Sequence, residues 1–268
     1  MIFILDFREA NRGGAVVPGR LTKGSKDDLR RASKVTFLVH GFNVSRRDGT
    51  EKLTRLAGLL PAAADGAVVA VLWPGDHFVR AFSYPFEGRD ADDTAAMLAR
   101  YIGRVLRRGT EISFVTHSLG ARLAMETVKR LRRRGYVFRQ ICLMAAAIDD
   151  FSLAEPRDYR AATNEADRVA VLASRKDRVL RFAYPAADRL QAFLFFWRET
   201  AGVALGFHGP RPARRSPIPP GVYREQIPQR RGSGHDDYIP DDPPNLEQRS
   251  AVQFADEVLQ GRSAPRYP

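Results

Sequence analysis

The sequence predicts an α/β fold with a mostly parallel central sheet flanked by helices on both faces. Three observations carry this. Apolar, strand-like runs alternate with helix-like segments through most of the chain. The strand-like runs are continuous in Val, Ile and Leu, which is how strands buried on both faces read. Polar residues gather at the ends of these runs, namely His40, Asp76, Ser118, Asp149 and Asp177. Ligands of open parallel sheets sit at that carboxyl edge, so the pattern calls for a functional rim there.

The elements follow in order. MIFILDF (1–7) reads as a strand, and KVTFLVHGF (34–42) as a buried strand running into a glycine turn. An amphipathic segment at about 50–60, containing LTRLAGLL, is ended by Pro61. GAVVAVLWPGD (66–76) is the next buried strand, closed by Pro74 and Gly75. Over 90–108, Ala95, Leu98, Ala99, Ile102, Val105 and Leu106 recur at helical spacing. EISFVTHS (111–118) is a strand and 119–134 a helix stopped at Gly135. FRQICLMAAAID (138–149) and RVAVLASRKD (168–177) are two further strands. Beyond 185 the character changes. RLQAFLFFWRETAGVALGF (189–207) is apolar nearly all round, and PRPARRSPIPPG (210–221) is too proline-rich to be regular. GVYREQIP (221–228) is a weak final strand and NLEQRSAVQFADEVLQ (245–260) a terminal helix.

Composition bounds the function. A chain of 268 residues, 44% hydrophobic, suits one large α/β domain with a substantial core. The net charge of +12 is carried mostly by arginines, either scattered or paired at helix ends, as at Arg132, Arg133 and Arg134. No nucleic-acid module and no aromatic-interleaved basic strand accompanies them. An arginine-rich solvated surface is the simpler account, and no nucleic-acid partner is expected. The opening MIFILDFREA lacks the basic start and longer apolar stretch of a signal peptide. No apolar run is long enough to span a bilayer, so the expectation is a cytoplasmic protein, its oligomeric state open. Cys142, the single cysteine, lies in ICLMAA and reads as a buried small hydrophobe. Neither metal nor cofactor is expected, because there is no clustered Cys/His spacing and no phosphate-cradling glycine loop.

The chemistry centres on Ser118. A serine hydroxyl is a poor nucleophile until a histidine takes its proton, a carboxylate orients that histidine and N–H donors receive the oxyanion. One architecture supplies these at strand ends in the order Ser, Asp or Glu, His, with the serine in G-x-S-x-G on a sharp turn. Here Thr116-His117-Ser118-Leu119-Gly120 follows a strand, and Gly120, Ala121 and Ala124 let the next helix pack closely. Thr116 stands where the first glycine belongs. His40-Gly41-Phe42-Asn43 ends an earlier strand; Phe42 and Leu119 are the expected oxyanion donors, and His40 a loop-shaping residue. For the acid, Asp177 fits best and Asp149 is the second choice; helix capping competes with either role. His235, between the last strand and the terminal helix, is the expected base. His117 should point away from Ser118, His77 follows the wrong strand, and His208 closes the apolar segment.

HGFN, WPGD, THSLG, AAAIDD, ASRKD and GHDDY together resemble the α/β-hydrolase superfamily. They are most similar to a bacterial branch of hydrolases of unknown function with an HGFN loop and an HSxG elbow. The resemblance covers about 34–180. It implies an α/β-hydrolase fold over 1–268, a Ser118–Asp177–His235 triad, and hydrolysis of a small-molecule or lipid ester, or related acyl bond, through an acyl-enzyme. Residues 185–220 then form a cap or lid-like helical excursion with its Pro/Arg-rich connection, or else contain a plain packing helix. The competing readings are a catalytically silent hydrolase-like scaffold used for binding and a basic nucleic-acid binder. The ordered Ser, Asp and His argue against the first, and net charge alone supports the second.

Overall fold

The computed structural model describes residues 1–75, 84–183, 203–231 and 233–268. Asp76, His77 and 189–202 of the apolar segment lie outside the described residues. Among the described residues, eight strands form one sheet in the order β2-β1-β4-β3-β5-β6-β7-β8. They are β1 (Ile2–Arg8), β2 (Val16–Lys23), β3 (Lys34–Val39), β4 (Ala67–Leu72), β5 (Glu111–His117), β6 (Val137–Met144), β7 (Ala166–Ala173) and β8 (Val222–Gln226). Only β2 runs antiparallel, on β1; every other neighbouring pair is parallel. The fold is that of an α/β hydrolase, as the sequence predicts.

Burial explains the strands. All six residues of β4, AVVAVL, are buried, so this central strand is covered on both faces. β2 is an addition to the sequence reading. Its residues VVPGRLTK are half-buried or exposed, and Pro18 and Gly19 are tolerated because the strand is at the edge.

The helices are α1 (Lys26–Arg31), α2 (Arg46–Gly58), α3 (Tyr84–Val105), α4 (Gly120–Leu131), α5 (Arg160–Thr163), α6 (Leu205–His208) and α7 (Leu246–Leu259). α3 and α4 pack together, with α3 against β2 and α4 against β3 and β5; α2 lies on β1 and β4, and α7 on β6. Ser45 caps α2, and an Asn245–Gln248 capping box starts α7. Among the described residues, no helix is long and apolar enough to cross a membrane.

Strand order locates the site. From β3 the chain passes to β4 on one side, whereas β5 pairs with the other side of β3 and β6 to β8 continue outward. The loops leaving β3 and β5 therefore diverge at their carboxyl ends, the place where open α/β sheets hold ligands.

The strands are shorter than the apolar runs suggest. β6 stops at Met144 because Ala145 turns at φ 46°, so Asp149 lies on a loop rather than at a strand end. That loop packs on Gly206, where any Cβ would collide with the backbone of Ala145 and Ala146. β7 likewise ends at Ala173, before Asp177.

Candidate active site

Ser118 occupies the turn between β5 and α4 with φ 53°, a left-handed conformation that non-glycine residues rarely adopt. The turn is held from several sides. The Ser118 amide donates to the Met144 carbonyl at 3.0 Å, and the Ser118 carbonyl accepts from Ala121 and Ala147 at 3.1 Å each. Two glycines permit the close approach. A Cβ on Gly120 would stand 2.6 Å from the His40 carbonyl oxygen, and one on Gly41 would stand 2.9 Å from Ser118 Cβ. Thr116 is accommodated inside the strand. It is fully buried, and its Oγ1 donates to the Cys142 carbonyl at 3.2 Å, so the sharp turn starts after it.

Ser118 Oγ lies 2.9 Å from His235 Nε2, and His235 Nδ1 lies 2.8 Å from Asp177 Oδ2. Because a carboxylate only accepts, Nδ1 carries the proton, and Nε2 presents a lone pair to the serine hydroxyl. Asp177 is fully buried, and its other oxygen accepts from Leu180 N at 3.0 Å. The capping role and the histidine contact thus belong to the same carboxylate. The loop carrying His235 is pinned as well: Ser174 Oγ donates to the Ser233 carbonyl at 2.9 Å, and Gly234 N donates to Asp237 Oδ2 at 2.7 Å.

The second-choice acid does not take the Nδ1 position, which belongs to Asp177. Asp149 forms an isolated bridge with Ala204. Its neighbour Asp150 is buried and accepts from Arg211 Nε at 2.6 Å, with His208 Nδ1 3.6 Å away.

Leu119 directly follows Ser118, and Phe42 lies between Gly41, which abuts Ser118, and Asn43, whose amide donates to the Gly75 carbonyl. Both segments expected to donate oxyanion N–H groups therefore converge beside the serine. His40 shapes this loop: Nδ1 donates to the Gly41 carbonyl at 2.8 Å, and Nε2 accepts from Trp73 N at 3.3 Å. Burial pushes its pKa down to about 4, so the ring stays neutral.

The contacts of two residues at the site escape the sequence reading. Arg8, buried at the end of β1, donates from Nη1 to the carbonyls of Val44 at 2.7 Å and Trp73 at 2.9 Å, tying together the loops after β3 and β4. Asp6 supports it, accepting from Arg8 N at 3.0 Å and pairing with Arg46 Nε at 2.8 Å. Two charges inside the apolar run IFILDFR were the available signal. The other is His117, whose Nε2 lies 2.8 Å from the His235 carbonyl oxygen.

A family model described as alpha/beta hydrolase of unknown function (DUF900) matches residues 22–191. No curated protein matches the chain. Among solved structures, an esterase from Pyrobaculum calidifontis is 18% identical with a TM-score of 0.43, over 86% of this chain and 77% of its own. A putative hydrolase of the alpha/beta superfamily from Xanthomonas campestris is 15% identical with a TM-score of 0.42, over 86% and 99%. A poly(3-hydroxybutyrate) depolymerase from Bordetella parapertussis is 14% identical with a TM-score of 0.44, over 85% and 79%.

Proposed function

The chain belongs to the alpha/beta hydrolase family of unknown function DUF900, and on that premise we propose that it is a serine hydrolase cleaving an ester or related acyl bond. The observation that carries this reading is the continuous hydrogen-bonded line Ser118 Oγ–His235 Nε2–Asp177, with steps of 2.9 and 2.8 Å. It stands at the sheet's switch point, on a turn with φ 53° that presents the hydroxyl to His235.

In this mechanism Ser118 Oγ attacks the acyl carbon while its proton passes to His235 Nε2. The carbonyl π electrons move to oxygen, and that oxyanion rests on the N–H groups of Leu119 and Phe42. Collapse breaks the bond to the leaving alkoxide, which takes the proton from His235. A water then gives its proton to His235, attacks the Ser118 ester and releases the acid, and the proton returns to Ser118 Oγ. Asp177 remains ionised throughout, holding the ring and balancing its transient charge.

For the substrate class we infer a lipophilic ester, taking residues 185–220 as a cap or lid-like excursion over an acyl pocket within a single domain, 1–268, from sequence alone, since 184–202 lie outside the described residues. Its support is the apolar composition of 189–207. A lipophilic small-molecule or lipid ester fits that reading, and no cofactor enters the chemistry. A panel of p-nitrophenyl esters of increasing chain length tests it. Turnover by wild type but not by Ser118→Ala, rising with chain length beyond acetate, is the expected result. Turnover retained by Ser118→Ala sinks the nucleophile assignment, and activity that is flat or falls beyond acetate sinks the acyl pocket.

A further inference from the structure

The residue immediately before Ser118 touches both the loop of Phe42 and the loop of His235. His117 is buried, and its Nε2 lies 2.8 Å from the His235 carbonyl oxygen. A carbonyl only accepts, so Nε2 carries the hydrogen and a neutral ring carries none on Nδ1. The Nδ1 edge faces the loop after β3, where a Cβ on Gly41 would stand 2.8 Å away. Its ring lies 4.9 Å from the His235 ring and 5.9 Å from the Tyr238 ring, between centroids. One imidazole thus joins the turn of Ser118, the loop of Phe42 and the loop of His235.

We propose that His117 is a positioning residue that holds the His235 peptide so that the imidazole of His235 spans Ser118 and Asp177. The inference rests on the serine-hydrolase reading for its kinetic consequence, though not for its geometry. The peptide of His235 sits on a loop after β8 whose other ties, Ser174 Oγ to the Ser233 carbonyl and Gly234 N to Asp237 Oδ2, hold the residues around it. The His117 N–H supplies a fixed point from the rigid end of β5, the strand that also presents the nucleophile. Nucleophile and base are then referenced to the same strand, and the separation between them does not depend on how the loop fluctuates. Misplacement by about 1 Å at such a site costs roughly 100-fold in rate.

The clamp also needs to be neutral. Burial is the main cause that holds the His117 pKa well below the ordinary histidine value, followed by the positive charge that His235 acquires. Lys52 and His40 act in the same direction, whereas the bond to the His235 carbonyl opposes them. A cationic His117 beside His235 would disfavour the protonated base that the reaction creates. A neutral N–H donor avoids that repulsion.

Two variants and one spectroscopic readout test the proposal. His117→Leu keeps bulk and removes the donor, whereas His117→Gln places an amide N–H where Nε2 stood. With a fluorophosphonate probe, the expected labelling rate falls roughly 10- to 100-fold in His117→Leu, and His117→Gln recovers a large part of the loss. On p-nitrophenyl acetate the loss falls on kcat and leaves KM nearly unchanged. Equal losses in both variants, or none in either, overturn the donor role. Histidine-selective isotope-labelled NMR of the whole protein decides the geometry independently of turnover. His117 is expected as the neutral Nε2–H tautomer at neutral pH; a proton on Nδ1 in place of Nε2 overturns the proposal. A wild type that the probe fails to label removes the serine-hydrolase reading, and the NMR result still decides whether His117 holds the His235 peptide.

Discussion

At the scale of single residues, position sets the protonation state. His235 has its tautomer chosen by Asp177, whose carboxylate accepts from Nδ1 at 2.8 Å. Asp177→Asn preserves shape but can donate to the ring and favour the wrong tautomer. Its labelling by a fluorophosphonate is expected to fall roughly 10³- to 10⁴-fold, whereas Asp149→Asn leaves the rate within a few-fold; the reverse ranking would move the acid to Asp149. His40 makes a prediction about stability. Its pKa is lowered from 6.5 to about 4 in the folded protein, so the unfolded chain binds the extra proton first. Stability is therefore fully present above about pH 6.5 and is lost as pH falls toward about 4. The total is about 3 kcal/mol, and buried His117 adds in the same direction. Denaturant unfolding over that pH window checks it: wild type should lose more stability than His40→Asn, and equal losses contradict the assignment. In sequence terms the order of Ser118, Asp177 and His235 was legible, and the structure brings these side chains within hydrogen-bonding distance, but the contact His117 makes with the His235 carbonyl was not legible. Nothing in THSLG tells that the histidine's ring faces a loop more than a hundred residues away.

At the scale of elements, close approach decides which turns exist. α4 begins against β3 because Gly120 has no side chain, and a Cβ there would lie 2.6 and 2.9 Å from the carbonyl oxygens of His40 and Val39. Gly120→Ala is expected to push α4 from β3, tilt the Ser118 turn and slow labelling by roughly 100-fold while circular dichroism keeps its helical signal. A wild-type rate would show that this contact does not set the turn. β1 contributes through Arg8, whose guanidinium satisfies carbonyls of Val44 and Trp73. Arg8→Met leaves these buried acceptors unpaired and is expected to cost about 2–3 kcal/mol in urea unfolding, with slower labelling as the Phe42 loop loosens. Unchanged stability would assign that loop's order to other contacts. The elements missed by sequence were those with weak periodicity. β2 carries Pro18 and Gly19 on a half-exposed edge, and α1 spans only Lys26–Arg31, less than two full turns. Conversely, AAAID reads as more of β6, yet the small alanines serve a loop that Gly206 packs against.

At the scale of the whole molecule, fold class was legible because continuous apolar runs report strands buried on both faces. The order of the strands was not, since apolarity marks a strand without naming its neighbours. That order places β3 beside β5 and so brings HGFN next to THSLG. Net charge belongs to this scale too. Among the described residues some of the arginines behind the +12 are paired, such as Arg139 between Glu111 and Asp167, and the prediction is that the protein holds no nucleic acid. Retention on duplex DNA at physiological salt, falling steeply as salt rises, would contradict this. The central claim is that Ser118 is a nucleophile activated by His235, and covalent labelling tests it most directly. Folded wild-type protein treated with a fluorophosphonate should gain the mass of one adduct, mapping to the peptide that contains Ser118. Ser118→Ala should gain none, and His235→Ala only a slow trace. A folded wild type that stays unlabelled, or a Ser118→Ala variant labelled as fast as wild type, would contradict the account.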